Sequence, residues 1–435
     1  MAYFLAIDLG ATSGRHIVGY QRNGEYVLDE VHRFLTGMDE SKDGLVWDLP
    51  RFLQEIKLGI KKAFAKYGSL ASISIDTWGV DYVLMNHEKE IPPFYAYRNK
   101  RNEIAANEVH QIIPFKDLYR STGIQYAPYN SIYQFYADAK DGRLEKATSY
   151  LMLPEYFSYK LTGVMSHEYC DESTTGLLNA QTKNYDFDLI NKLGFPKHLF
   201  NKIKFPGTYL GELLPNIADE VGGNAPVLLC ASHDTASAFE AIDIPEDGII
   251  LSSGTWSLFG IKSAKPICNE LSLKNNFTNE GGCSYIRFLK NIMGMWITSQ
   301  VCEQEGLSFI DLQTKLDHVP YDEIFDVNHP SLLAPKNMKQ AILTLLSKNP
   351  PKNEYQLFRS IYRSMAYSCN QACLELEAIT EKKYNYIYVV GGGAKNKFFT
   401  KCIEEFCQKK VVALPVEATS LGNVKIQEKY FVKGH

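Results

Sequence analysis

In the stretch CASHDTASAFEA, Cys230 to Ala241, an acid ends an apolar run and small residues follow it. Asp234, flanked by His233 and Thr235, admits three chemistries. As a helix cap, it or Ser232 would satisfy orphan backbone N–H groups. As a metal ligand it would need His or acidic partners that the neighbouring sequence does not offer. As a base it would accept a proton from a hydroxyl attacking phosphorus, a reaction in which the protein mainly positions groups and stabilises charge. Ala236, Ser237 and Ala238 would then leave room for a substrate at the helix start.

Other stretches offer parts that such a reaction uses. DLGATSGR (Asp8–Arg15) lies between two strand-like segments and lacks GKS or GKT, so it is not a Walker P-loop. A glycine-rich hairpin turn can still aim backbone N–H groups at a phosphate. Thr12 and Ser13 add hydroxyls, and Asp8 can hold a magnesium ion through water. LSSGTWS, with Ser253, Gly254 and Thr255, reads as the same device used a second time. YIYVVGGGAKN sets Gly391 and Gly393 between a strand and a helix. Asn396 stands where a dinucleotide fingerprint has its third glycine, and a turn that admits an adenosine fits equally well. IDTWGVDY places Asp76, Trp78, Gly79 and Asp81 at a strand end. Trp78 is then an aromatic face for a sugar, or a core residue. Arg98 in YAYRNKR orders a polyol or carboxylate, or makes a surface ion pair.

These residues need elements to hold them. YFLAIDLG reads as a strand, and GRHIVGYQRNGEYVLDEVHRF as a hairpin turning at Asn23-Gly24. A helix is expected over 49–67, with Leu53, Ile56, Ile60 and Phe64 on one face, and a strand at ASISI. SIYQFYADAKD and PEYFSYKLTG read as helical, and APVLLCASHDTASAFEAI as strand, turn and helix. The pattern restarts near residue 245 with DGIILSSGTWSLFGI. The periodicity predicts helices over 284–304 and 354–379, the strand YNYIYVV, a helix to about 410 and the strand VVALPV. The stretch from 308 to 350 is less regular. Strands alternating with helices predict an α/β fold, and 435 residues predict two domains, 1–244 and 245–435.

Composition narrows the class. A net charge of −4 without a basic stripe argues against nucleic acid as a partner. No apolar run approaches a membrane span, and Asp8 interrupts the N-terminal one, so neither a membrane nor a signal peptide is expected. Nine cysteines without CxxC pairs predict reduced, mostly buried thiols in a cytoplasmic protein. Nothing in the sequence demands an oligomer, and a monomer fits.

Taken together the motifs resemble the FGGY family of carbohydrate kinases, in particular its L-rhamnulose-phosphorylating branch. DLGATSGR, IDTWGVDYVL, AYRNKR, STGIQYAPYNSIYQ, LMLPEYFSYKLTG, ASHDTASA, LSSGTWSL, TNEGG, LKNIMGMW and VVGGGAKN carry the resemblance, in family order across nearly the whole chain. It implies a two-domain, actin-like ATPase (ribonuclease H-like) fold with an interdomain cleft for ATP and the sugar mainly on the first domain. It also implies ATP- and magnesium-dependent phosphorylation of the 1-hydroxyl of L-rhamnulose, in L-rhamnose catabolism. By position, Asp234 matches the catalytic base, and His233, Thr235, Gly79 and Asn291 match sugar-site positions. Ala11, Thr12, Ser13, Gly14 and Arg15 match the first phosphate turn, Thr255 the second and Gly392 the adenosine turn.

Three departures fall on the nucleotide side. Ser299, followed by Gln300, stands where the family has a nucleotide-contacting Gln, and the two residues point about 100° apart on a helix. Lys425 replaces a small or apolar residue, and the chain stops at His435 where relatives continue. The adenosine side is therefore expected to be altered. The rival readings are a kinase for another ketose, such as L-fuculose or L-xylulose, and a non-catalytic sugar-responsive protein on the same fold. A nicotinamide dehydrogenase is weaker, because its fingerprint is incomplete.

Overall fold

The computed structural model describes residues 1–307, 315–333, 335–414 and 417–432. In chain order, the elements that position the candidate site begin with β1 (Phe4–Leu9), β2 (Ser13–Arg22), β3 (Glu25–Leu35), α1 (Leu49–Tyr67) and β4 (Ser72–Thr77). There follow α2 (Tyr169–Glu172), β5 (Tyr209–Glu212), β6 (Pro226–Leu228), α3 (Asp234–Glu240), β7 (Gly248–Ser253) and β8 (Trp256–Ser263). The series ends with β9 (Ile286–Met293), α4 (Trp296–Glu305), α5 (Glu354–Thr380), β10 (Tyr386–Val390), α6 (Lys397–Cys407), β11 (Lys410–Leu414) and α7 (Ala418–Val432).

The chain forms two compact units, 1–242 with 263–288 and 418–435, and 243–262 with 289–417. They differ from a single cut after residue 244 in the two returning segments. One reason is visible in α7, which lies on the sheet of the first unit. Val424 is fully buried beside Phe4 and Ala6, and its methyls occupy the space a side chain at Gly19 would need.

The first unit is built on a six-stranded sheet in the order β5-β6-β4-β1-β2-β3. β1 pairs antiparallel with β2 and parallel with β4, so Asp8 lies directly beside Asp76. The hairpin from β2 to β3 turns at Asn23 (φ 54°) and Gly24 (φ 81°), the conformation an Asn-Gly pair favours. α1 covers one face. Asp48 caps it by accepting from the Arg51 N–H at 3.1 Å, Gly68 ends it at φ 76°, and Phe52, Ile56, Ile60 and Phe64 enter the core.

The second unit repeats this arrangement. β7 pairs antiparallel with β8 and parallel with β10, which in turn pairs with β11. α5 and α6 spend their apolar faces on its core, burying Phe358, Ile361, Met365, Phe398 and Ile403. In both units a short-turn hairpin therefore lies beside a parallel strand ending in a glycine-containing turn, which is the repeat suggested by DLGATSG and LSSGTWS.

One expected element is different. The helix predicted over 284–304 is strand β9 followed by helix α4, with Gly294 between them. IRFLKNIM is largely buried on both faces, and such a short run does not distinguish a buried strand from a helix. Residues 308–314 and 334, in the irregular stretch, and 415–416 at the end of VVALPV lie outside the described residues. No described helix is long and apolar enough to cross a membrane.

Candidate functional site

The first unit gathers acids at the ends of β1 and β4 and at the start of α3. Asp8, 3% exposed, receives Nη2 of Arg15 at 2.5 Å. Its neighbour Asp76 is fully buried and accepts Nδ2 of Asn423, from α7, at 2.5 Å. Burial raises the Asp76 pKa well above the ordinary carboxylate value. The charges of Asp8 and Asp234 raise it further, and the bond from Asn423 opposes them. Its Oδ1 has no hydrogen-bond partner among the described residues. Two oxygen-rich side chains in register at strand ends suit a hard cation such as magnesium.

Asp234 is the first residue of α3. His233 stands at the cap position with extended backbone and makes no side-chain cap bond. Neither Asp234, Ser232 nor Thr235 caps this helix. The Ser232 N–H instead donates to Glu168 at 3.0 Å, and its hydroxyl donates to the Cys230 carbonyl at 3.4 Å. Asp234 keeps 31% of its side chain exposed, and its Oδ1 accepts from Thr235 Oγ1 at 3.0 Å. Nε2 of His233 lies 3.4 Å from that same oxygen. An isolated bridge between Thr77 and His233 joins the end of β4 to the start of α3, with the Thr77 N–H donating to the Ser232 carbonyl at 2.9 Å.

The DTWGVD loop follows β4. Trp78 is 7% exposed, and its ring lies 4.4 Å from that of Trp47, so it packs in the core rather than offering an open face. Its Nε1 donates to Asp81 at 3.0 Å, as does Nε1 of Trp47 at 2.7 Å. Gln134 and the Tyr97 N–H also donate to Asp81. Burial nevertheless pushes the Asp81 carboxyl up to about 6, against those four bonds. Val80 sits at φ 72°, a strained conformation for a β-branched residue. Its carbonyl accepts from Ser131 and Gln134, and its N–H donates to Thr174. A side chain at Gly79 would come within 3.0 Å of Thr174 Oγ1 and 3.2 Å of Asp171 Oδ1, so the glycine lets the loop pack closely against these two polar residues. Both oxygens of Asp171 are buried without a hydrogen-bond partner among the described residues. Its pKa is raised by burial and then by the charges of Glu168, Glu172 and Asp234. Half-buried Arg98 donates to the Tyr97 hydroxyl at 3.2 Å, and Tyr97 in turn feels the charges of Asp81 and Asp234.

The first phosphate turn is a tight one. The Gly10 N–H donates to the Ser13 carbonyl at 3.0 Å, leaving Thr12 exposed and Ala11 and Ser13 half-buried. Gly14 serves packing, because a side chain there would enter the ring of Phe34 at 2.5 Å.

In the second unit, Gly254 and Thr255 form the exposed turn from β7 to β8. Their carbonyls accept from the Met295 and Trp296 N–H groups at the start of α4, at 2.8 and 3.2 Å. Gly294 permits this approach, since a side chain there would lie 2.6 Å from the Trp256 backbone. Gly391, at φ 78°, passes so close to Ser253 that a Cβ would stand 2.8 Å from its carbonyl oxygen. Thr255, the Gly391–Gly393 turn and α4, which carries Ser299, thus converge around the end of β7. Ser299 is exposed, while Gln300 is half-buried and donates to Glu303 at 3.1 Å. Asn291 is half-buried on β9, with Oδ1 lacking a partner among the described residues. Lys425, expected on the nucleotide side, belongs to the first unit and donates to the Ala241 carbonyl at the end of α3 at 2.7 Å.

Two features were not singled out from the sequence. Glu280 and Arg287 sit beside His233, and TNEGG was visible as a motif without a role. Glu155, His167 and Glu172 lie buried within 4.8 Å of one another. Bonds from Met152, Glu168 and Tyr150 occupy their carboxylates, and His167 itself bonds Glu172, as in a structural polar network. The nine cysteines are free, six of them buried.

Comparison with known proteins agrees with this geometry. Residues 3–239 match the N-terminal domain of the FGGY family of carbohydrate kinases and 249–428 match its C-terminal domain. A rhamnulokinase from Oceanobacillus iheyensis is 39% identical over 97% of this chain and 92% of its own. One from Halalkalibacterium halodurans is 40% identical over 98% and 93%. Among solved structures, a ligand-bound xylulose kinase from Lactobacillus acidophilus superposes with TM-score 0.83 at 16% identity, covering all of this chain and 90% of that one. Plasmodium falciparum glycerol kinase with ADP gives 0.80 at 14%, with the same coverage.

Proposed function

Because the chain belongs to the FGGY family of carbohydrate kinases, and is thus a sugar-phosphorylating enzyme, we propose that its substrate is L-rhamnulose and its product L-rhamnulose 1-phosphate. Identity of 39–40% to proteins named rhamnulokinase, over nearly the full length of both partners, supports this choice over other ketoses.

The observation that carries the mechanism is the state of Asp234. It opens α3 without capping it, keeps part of its side chain exposed, and has one oxygen engaged by Thr235. Asp234 takes the proton of the 1-hydroxyl as that oxygen attacks the γ-phosphorus of ATP in line. Gly79 is assigned to the sugar site by its position in the DTWGVD loop, with Asp171 and Thr174 packed against it. By position, Arg15, with Thr12 and Ser13, serves the phosphates, and Thr255, Gly392 and Ser299 serve the nucleotide. Asp8 would hold magnesium through water, with Asp76 beside it, and the metal when bound neutralises phosphate charge.

The test is ADP release with L-rhamnulose against L-fuculose, L-xylulose, ribulose and glycerol. L-Rhamnulose should give the highest kcat/KM. Asp234→Asn should bind sugar and lose about 10²–10⁴-fold in turnover. Near-normal turnover in that variant refutes the base assignment. Sugar binding by calorimetry without ADP release in the unaltered protein would instead indicate a sugar-responsive protein.

A further inference from the structure

We infer that Arg287, anchored by Glu280, fixes the proton of His233 on Nε2 and aims it at Oδ1 of Asp234, leaving Oδ2 to take the substrate proton. The last step rests on the reading of Asp234 as the base; the arrangement of the other three residues does not.

Arg287 lies on β9 within the part of that strand that belongs to the first unit, and its side chain is completely buried. Four contacts fix it. Nε donates to the Gly281 carbonyl at 2.7 Å, Nη1 forms an ion pair with Glu280 Oε2 at 2.9 Å, and Nη2 donates to the Cys170 carbonyl at 3.5 Å and lies 3.2 Å from Nδ1 of His233. A guanidinium has hydrogens on every nitrogen and accepts nothing. Nδ1 must therefore present its lone pair, and a neutral imidazole then carries its proton on Nε2. That nitrogen is the one 3.4 Å from Asp234 Oδ1, which also accepts from Thr235 Oγ1.

The competing arrangement puts the proton on Nδ1, where Glu280 Oε2 stands 3.4 Å away. It would set an N–H against the Arg287 N–H at 3.2 Å, donor facing donor at a site where His233 is only 12% exposed. Burial raises the Glu280 carboxyl, but the opposing causes, the Arg287 charge foremost, hold it below its ordinary value. Glu280 is therefore an anion whose partner is the buried cation. A wholly buried Arg is costly unless its charge is matched and its hydrogens are used. Here its charge is matched by Glu280, and its N–H groups reach the Gly281 and Cys170 carbonyls and the histidine beside the candidate base.

Besides His233, titratable groups that feel the charge of Asp234 include Asp76 on β4, Asp171 on α2 and Tyr97.

The full-length protein labelled with 15N-histidine reads the tautomer directly, with His233 assigned through its missing signal in His233→Gln. The expected spectrum has the proton on Nε2 across neutral pH. In the paired variant Arg287→Met with Glu280→Gln, which keeps the buried charge balanced, the proton should redistribute to Nδ1. The acid limb of kcat/KM against pH should then move up by about one unit, because a donor to the ionised form of Asp234 has been lost. Arg287→Lys, still a donor, should keep both the tautomer and the limb. An Arg that only packs the core would lower stability and leave the limb in place. A proton on Nδ1 in the unaltered protein overturns the inference, even if the paired variant fails to fold. So does an unmoved limb in a folded paired variant. The spectrum is read without turnover, so failure of this relay and failure of Asp234 as base are separate results.

Discussion

The position of Asp234 depends on a glycine far away in sequence. Gly422 lies on α7 where that helix crosses α3. A Cβ built there would stand 2.7 Å from the carbonyl carbon of Ser237 and 2.9 Å from the nitrogen of Ala241, and nearer still to the Ser237 oxygen. Side-chain carbons are essentially never found under 3.0 Å from such neighbours, and ordinary contact begins near 3.4 Å. All three atoms are backbone, so no rotamer can relieve the clash. In Gly422→Ala the helices must separate by roughly 1 Å, and α3 must move with Asp234 at its first turn. A shift of about 1 Å in a reacting group costs about 10²-fold in rate. Overpacking of this kind costs about 1–3 kcal/mol of stability, which a protein of this size can survive. The assay is coupled ADP release at saturating ATP and sugar, with a thermal melt on the same preparation. The expected result is a folded protein with kcat down about 10²-fold, and Gly422→Ser should be no better. A folded Gly422→Ala with kcat within twofold of normal would refute the claim that this helix crossing sets the base.

Asp76 gives a prediction with a sign. Its folded pKa is raised, so the native state binds its proton more tightly than the unfolded state does. Stability from this group is therefore present at low pH and lost as pH rises from the ordinary carboxylate value through the folded one. Asp76→Asn removes that loss. It should raise the melting temperature at pH 8 by about 2 °C or more, raise it less at pH 5, and still depress turnover. A lower melting temperature at pH 8 than at pH 5, relative to the unaltered protein at each pH, would contradict it. Gly391→Ala introduces a side chain at φ 78° and 2.8 Å from the Ser253 carbonyl oxygen. It should raise the KM for ATP by about tenfold while calorimetric binding of the sugar to the nucleotide-free protein stays unchanged. An equal loss of both would show that the turn serves the whole fold rather than the nucleotide.

Much of this was legible in the chain because its signals are local. Asn23-Gly24 marked a hairpin, the spacing of Leu53, Ile56, Ile60 and Phe64 marked α1, although Phe52 is buried there and Leu53 only half-buried, and glycines marked the turns after β1, β7 and β10. The misread helix over 284–304 shows the limit. IRFLKNIM is buried on both faces, so it carries no alternation, and only its strand partners decide its form. Trp78 was ambiguous for a similar reason. Whether an indole faces a sugar or another indole depends on Trp47, 31 residues earlier, which has no spacing relation to it. Arg287 and Glu280 could not be joined to His233 from sequence, because their meeting needs β9 and α3 side by side.

The acids of the first unit explain why so much of the chain returns to it. Asp8, Asp76, Asp171 and Glu168 are all nearly or fully buried around the start of α3, and each raises the cost of ionising its neighbours. A fold selected for stability alone would replace several of them with apolar residues. The compensation comes partly from distant segments, through Asn423 and Ser232, and partly from neighbours in sequence. Asn423 of α7 donates to Asp76, the Cys170, Asp171 and Ser232 N–H groups donate to Glu168, and Arg15 pairs with Asp8. Asp171 receives no such bond among the described residues, and it packs against Gly79. The unbalanced acid is therefore the one next to a position assigned to the sugar, whose hydroxyls could donate to it. This places the polar cost of the fold where substrate binding can offset it, and it predicts that sugar binding should release less stability in Asp171→Asn than in the unaltered protein.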